Sequence, residues 1–348
     1  MGENDRIRDL EATARNLDRL VTVASGWGGR TDRWIVPALY EAASRAVDGR
    51  PVSLVAAQAL MDVVKEGDRV VLVDHFAYRP TMPYGETDGP PGVASLARAL
   101  RFGLGALPVL VTGPNDIEVA RQTTKAAGVN VLPYARATQF RNAIAGEFTF
   151  AIADQRKSRD AAVSILDACA PKAILSVETM GPNRVGVRHS GAGYDAEAEE
   201  KLPRLEELFL EASVRGILTI GMIDRGNEIG SGAIEADVRK ITPNADVCRC
   251  PCGAGGACAV KTDIVFPASV SNWAAYAVSA MLGSLLRRTE VLQDDDTERR
   301  MLEACVMAGA IDGIHGKPIV SVDGIGLKGQ QGIVNLLHSI VENSLRGT

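Results

Sequence analysis

Arg69-Val-Val-Leu-Val-Asp74 sets how the rest of the chain is read. Four consecutive apolar residues leave no polar face, which fits a strand buried on both sides in a parallel sheet. The run ends at an acid and enters a loop rich in Pro and Gly. Ala173-Ile-Leu-Ser-Val-Glu178 repeats the pattern, and Ile217-Leu-Thr-Ile-Gly221 leads on to Asp224. Residues 107–112, 129–132, 263–266 and 318–322 are further short strand-like runs. Helical spacing of apolar residues covers 92–103, 116–127, 202–215, 272–286, 298–307 and 333–345, with Gly216 as a stop. The segment between 132 and 173 is less regular. This alternation predicts an α/β fold, a mostly parallel sheet with helices on both faces. Residues 10–20, 36–47 and 55–64 are helical in pattern and predict an N-terminal helical flank over 1–65, ahead of an α/β domain at 66–348.

The 348 residues make one large domain or two ordinary ones at roughly 150 residues each. An apolar share of 46% with 23% charged residues excludes disordered and fibrous classes. With 38 basic against 43 acidic residues, no strongly basic face for a nucleic-acid backbone is expected. No run approaches the roughly 18 apolar residues of a membrane span, so neither nucleic acid nor membrane is an expected partner. The opening Met1-Gly-Glu-Asn-Asp-Arg6 leads into an amphipathic helix and not a secretory signal. Of six cysteines, Cys248, Cys250, Cys252 and Cys258 crowd one loop, where a disulfide framework would spread them. The chain is therefore read as cytoplasmic and reduced.

Chemistry is expected where parallel strands end, because loops converge there on the crevice at a topological switch. Asp74 is followed by a loop carrying Glu86 and Asp88, Glu178 closes its strand, and Asp224 leads to Glu228. Carboxylates gathered from separate strand ends repel one another and call for a cation or protonation. Oxygen-rich sites suit Mg²⁺ or Mn²⁺. The competing reading is that each acid caps the helix that follows it. The turn Gly226–Gly232 matches no dinucleotide or P-loop pattern, and Gly26-Trp-Gly-Gly29 has no strand before it. Cys248-x-Cys250-x-Cys252-x₅-Cys258 lacks paired C-x-x-C spacing, so its zinc signal is weak beside a reading as free thiols. The loop is expected beside the crevice without holding the hard cation. His75 and His189 follow strand ends and are candidates to line the crevice.

Taken together, Glu86-Thr-Asp-Gly-Pro-Pro91, Ile220-Gly-Met-Ile-Asp-Arg-Gly-Asn-Glu-Ile-Gly230, Val270-Ser-Asn-Trp273 and Val322-Asp-Gly324 resemble the C-terminal domain of D-glutamate cyclase, a domain that also stands alone in bacteria and archaea. The similarity runs from about residue 60 to the C-terminus. It implies a Rossmann-like α/β domain, dehydration of D-glutamate or a related amino acid to 5-oxo-D-proline, and Mn²⁺ or Mg²⁺ as cofactor. The glycine-rich turn departs from the family's usual Gly-Asp-Gly-Gly-Asn-Glu, with Ile223 and Arg225 in place of two glycines. Thr179-Met180-Gly181 stands where Arg-Pro-Gly is usual.

The pool of expected metal ligands is Glu86, Asp88, Glu178, Asp224 and Glu228, and Glu228, Asp224 and Asp88 are the candidates for catalysis. A carboxylate left uncoordinated would take a proton from the ammonium. Thr87, Asn227, Ser271 and Asn272 are neutral groups suited to orienting a substrate, with Ser271 equally suited to capping its helix. An amino-acid-like small molecule is the expected partner, with self-association left open. Two other classes stay open: a Mn²⁺- or Mg²⁺-dependent hydrolase or phosphatase on the same carboxylates, and a non-catalytic small-molecule binder.

Overall fold

Three helices, α1 (Glu3–Val21), α2 (Ile35–Ala46) and α3 (Val52–Val63), precede the first strand in the computed structural model, which describes residues 3–23 and 34–346. The Gly26–Gly29 stretch lies outside the described residues. Each helix turns an apolar stripe inward, with Leu17, Leu39 and Leu60 fully or almost fully buried in the core that also holds β1. Asp18 of α1 fastens this arrangement. It accepts hydrogen bonds from Val52 N at 2.7 Å, at the start of α3, and from Tyr40 Oη of α2 at 2.5 Å. A carboxylate at a helix N-terminus satisfies donors the helix cannot satisfy itself.

The chain then alternates. β1 (Arg69–His75), α4 (Pro90–Arg98), β2 (Leu107–Thr112), α5 (Ile117–Ala126), β3 (Asn130–Pro133) and α6 (Tyr134–Ala137) build one half. β4 (Ile144–Thr149), α7 (Gln155–Cys169), β5 (Ala173–Thr179), α8 (Glu206–Arg215), β6 (Leu218–Ile223), α9 (Glu235–Ile241) and β7 (Ile264–Pro267) follow. After α10 (Ser271–Leu286) and α11 (Asp295–Met307), a small hairpin of β8 (Ser321–Val322) and β9 (Ile325–Gly326) leads into α12 (Leu327–Leu345).

The seven long strands form one sheet in the order β3-β4-β2-β1-β5-β6-β7, every neighbouring pair parallel. Side chains alternate across each strand. Val70 and Leu72 of β1 pack into the layer of α1 to α4, α10 and α12, while Val71 and Val73 meet α7 and α8 on the other face. Both faces are covered, as the uninterrupted apolar runs predict. From β1 the chain moves to β2 on one side and returns to β5 on the other. The topological switch therefore lies between the carboxyl ends of β1 and β5, beside Asp74 and Glu178.

Three local expectations are corrected. The less regular middle contains β4 and α7, the latter capped by Asp154, which accepts from Lys157 N at 3.0 Å. Residues 318–322 form no strand of the main sheet. Only Ser321 and Val322 are extended, in a hairpin whose turn residues Asp323 and Gly324 have φ of +49° and +79°. The helix expected from 298 starts at Asp295, with Asp294 accepting from Thr297 N at 2.7 Å. Among the described residues no helix is long and apolar enough to cross a membrane.

Candidate metal and substrate site

The loop after β1 is built around Gly89, which precedes Pro90 at the first position of α4 and sits at φ +108°. A side chain there would place its Cβ 2.3 Å from Asp74 Oδ1. Next to it, Asp88 turns its carboxylate onto the start of α10. Oδ2 accepts from Ser271 N and Oδ1 from Asn272 N, both at 2.8 Å, with Gly89 N adding 3.0 Å to Oδ1. The cap of α10 thus comes from a residue 183 positions away. Val270 holds the N-cap position without a side-chain bond, and Ser271 Oγ instead donates to Glu178 Oε2. Asn272 locks the same loop: its Oδ1 accepts from Gly89 N at 2.9 Å and Gly92 N at 2.7 Å, and its Nδ2 donates to Thr87 O at 3.0 Å.

Four strand-end and turn acids gather above this cap. Glu178 lies near the end of β5 at φ +45°, a left-handed conformation that is costly for a residue with a Cβ and is held here by surrounding structure. Asp224 follows β6, Glu228 lies in the next turn, and Asp323 is carried by the β8–β9 hairpin. Asp312 holds that hairpin in shape, accepting from Ser321 Oγ at 2.6 Å and from Gly324 N at 2.9 Å. One set of ligand oxygens, from Asp88, Asp224 and Asp323, lies within 4.8 Å of one another, and so does a second from Glu178, Asp224 and Glu228. Asp224 belongs to both.

All five are buried, and so are Glu86 and Asp74 nearby. Burial, with Asp224 as the closest negative neighbour, pushes Asp88 up to about 8. Glu178 and Glu228 rise well above the usual carboxylate range for the same two reasons. Burial and the nearby Asp323 do the same to Glu86, and burial and Asp116 to Asp74. Desolvated like charges favour the protonated form unless a cation replaces the protons. The donors are all carboxylate oxygens, the set that hard divalent cations take, so the residues fit Mg²⁺ or Mn²⁺.

A cavity of about 400 Å³ opens onto these acids. Glu86, Glu178, Asp224, Glu228 and Asp323 line one side, and Phe76, Tyr78 and Met82 another. Arg225 is the one basic side chain on the wall among the described residues. Asn227 also lines it and donates through Nδ2 to His189 O at 3.0 Å.

Of the residues singled out in the sequence, Asp88, Glu178, Asp224 and Glu228 are brought together, while Glu86 lies on the cavity wall outside both ligand sets. Asn227 faces the cavity; Thr87, Ser271 and Asn272 lie beneath it in the loop and helix cap that hold the acids. Asp323 was absent from the expected ligands, although the Val322-Asp-Gly324 motif contains it. An Asp-Gly pair between two extended residues was the available signal.

The cysteine loop differs from expectation in composition. Cys258 is fully buried apart from the others, its sulfur accepting from Val260 N at 3.4 Å. His189 stands with Cys248, Cys250 and Cys252 instead, so a four-cysteine zinc site is ruled out by geometry.

A model of the family described as D-glutamate cyclase-like, C-terminal, matches residues 38–338. The match starts earlier than the resemblance read from the motifs and takes in α2 from Ala38 onward and all of α3. The mitochondrial D-glutamate cyclase of Homo sapiens is 30% identical over 144 aligned residues, covering 35% of this chain and 22% of the human protein. The chain therefore spans about a fifth of that relative's length.

Proposed function

The chain belongs to the D-glutamate cyclase-like family, and from that premise we propose that it is a divalent-metal-dependent lyase closing D-glutamate, or a related amino acid, to 5-oxo-D-proline. The observation that carries this reading is the convergence of Asp88, Glu178, Asp224, Glu228 and Asp323 at the switch point of the sheet, all buried and all but Asp88 lining a cavity of amino-acid size. Asp224 with either flanking pair would hold Mn²⁺ or Mg²⁺. A cation there supplies Lewis acidity, polarising the γ-carboxylate and stabilising charge on the departing oxygen.

The chain's own groups do the rest. In the ring closure the α-nitrogen bonds to the γ-carbon, one γ-oxygen leaves, and that oxygen departs as water with two protons from the ammonium. Glu228 is the proton carrier. Burial and the neighbouring Asp224 raise its proton affinity, which suits it to take a proton from nitrogen and pass it to oxygen. Arg225 clamps the substrate's α-carboxylate, a role the usual glycine at that position could not fill. Phe76 and Met82 exclude water from the reacting end. Ser271 Oγ keeps Glu178 oriented toward the ligand set.

Incubating the protein with Mn²⁺ or Mg²⁺ and a panel of D- and L-amino acids and phosphate esters tests this. The expected result is 5-oxoproline from D-glutamate, lost on chelation and in Glu228→Gln. Turnover of a phosphate ester alone would make the site a hydrolase, and binding with no turnover would make it a regulator.

A further inference from the structure

A second cluster, of different chemistry, lies behind the cavity wall. His189 Nε2 is 3.2 Å from Cys250 Sγ and 3.6 Å from Cys252 Sγ. Cys248 Sγ is 3.5 Å from Cys250 Sγ and 3.4 Å from Cys252 Sγ. All four atoms lie within 4.8 Å of one another. Tetrahedral zinc, with Zn–S of about 2.3 Å and Zn–N of about 2.0 Å, sets its sulfurs about 3.8 Å apart and its nitrogen about 3.5 Å from each sulfur. The observed spacings match that geometry within a few tenths of an ångström. They are far longer than the roughly 2.05 Å of a disulfide. They are also too compact for four ligands shared between the irons of a cluster, and three thiolates with one imidazole are soft ligands.

We propose that His189, Cys248, Cys250 and Cys252 form a closed structural Zn²⁺ site, separate from the acid cluster and independent of the activity assigned to it. Its position gives it a task. His189 is fully buried in the loop between β5 and α8, whose next residues Ser190, Gly191, Ala192 and Tyr194 line the cavity. The cysteines belong to the loop between α9 and β7, which has almost no regular structure of its own. Hydrogen bonds between the two loops run from Arg249 N to Gly193 O at 2.9 Å, Ala259 N to Pro182 O at 2.9 Å, Asn183 Nδ2 to Gly255 O at 2.7 Å and Arg249 Nη1 to Tyr194 Oη at 3.3 Å, and none of them fixes the three thiols. Asn183 Nδ2 also points at Cys252 Sγ at 3.6 Å, the outer-shell donor a thiolate ligand needs. A zinc ion would staple one loop to the other and so fix the wall of the substrate cavity.

The test begins with the full chain, purified under reducing conditions, reconstituted with Zn²⁺ and dialysed against a weak chelator. Elemental analysis should find about one zinc per chain. Co²⁺ exchanged into the wild type should show thiolate-to-metal charge transfer and the intense visible bands of a tetrahedral ion. X-ray absorption should give a shell of three sulfurs and one nitrogen. Cys250→Ser should lose the ion, whereas Cys258→Ser and Cys169→Ser should keep it. Absence of retained zinc, tight binding of iron in its place, a Cys248–Cys252 disulfide in the reduced preparation, or equal loss in Cys258→Ser would each overturn the proposal. The wild-type cobalt spectrum decides the matter even where a variant fails to fold. Zinc retention with no cyclase activity would uphold this site while refuting the function proposed for the acids.

Discussion

Freed of any hard divalent cation, the protein should lose stability as pH rises. Asp88 holds its proton up to about pH 8 in the fold against 3.8 as an ordinary side chain. A group whose folded pKa is raised stabilises the fold fully below the unfolded value and loses that contribution as pH climbs through the folded one. A shift of about four units at about 1.4 kcal/mol each sets an upper scale on the order of 6 kcal/mol for this group. Glu86, Glu178 and Glu228 move in the same direction, and carboxylates this close share protons and titrate together. A bound cation replaces those protons. At 100 to 1,000 times its Kd it adds about 2.7 to 4.1 kcal/mol. With an unfolding entropy of about 2.1 cal/mol/K per residue, the 348-residue chain should gain roughly 4 to 6 °C in Tm. Calorimetry of stripped wild type and Asp224→Asn at about pH 6 and about pH 8.5, with and without Mn²⁺, measures this. Wild type should lose Tm at the higher pH and recover it with Mn²⁺, while Asp224→Asn should respond less to both. A flat pH response in stripped wild type, or an equal Mn²⁺ shift in the variant, would refute the reasoning.

Gly89→Ala forces a Cβ to 2.3 Å from Asp74 Oδ1 at φ +108°, and should cost on the order of 1–3 kcal/mol or more, read from urea denaturation midpoints; an unchanged midpoint would show that the loop yields freely. Asp312→Ala removes the acceptor that shapes the hairpin under Asp323, and calorimetric titration should find Mn²⁺ bound about 10- to 100-fold more weakly. Binding at wild-type strength would place Asp323 outside the ligand set. Arg225→Met should raise KM for D-glutamate by tenfold or more with kcat changed far less, because the clamp acts on ground and transition states alike. A fall confined to kcat would give Arg225 a different role.

The sheet was readable where the chemistry of burial leaves a mark in the chain. β1, β2 and β5 are covered on both faces, so apolar residues dominate their sequences, and an acid stands near the end of β1 and of β5 where the chain emerges at the crevice. β4, half-buried toward the sheet edge and carrying Gly146 and Glu147, has no such signature. The hairpin at Ser321 to Gly326 is too short for a period to show.

Periodicity records what a residue's own element does and says nothing about which distant element will meet it. Asp88 capping α10 from 183 residues away, Ser271 turned from helix cap to partner of Glu178, and Asp323 joining Asp88 and Asp224 were decided by how distant elements pack together. The same holds for His189, which stands 61 positions from Cys250 and yet takes the place beside the cysteines that Cys258, eight positions from Cys250, offers in the sequence.

 Nearness in sequence favoured Cys258. The folded loops between β5 and α8 and between α9 and β7 favoured His189, because a ligand set is chosen by where side chains converge in space, and burial of Cys258 beneath Gly181 had already taken its sulfur elsewhere.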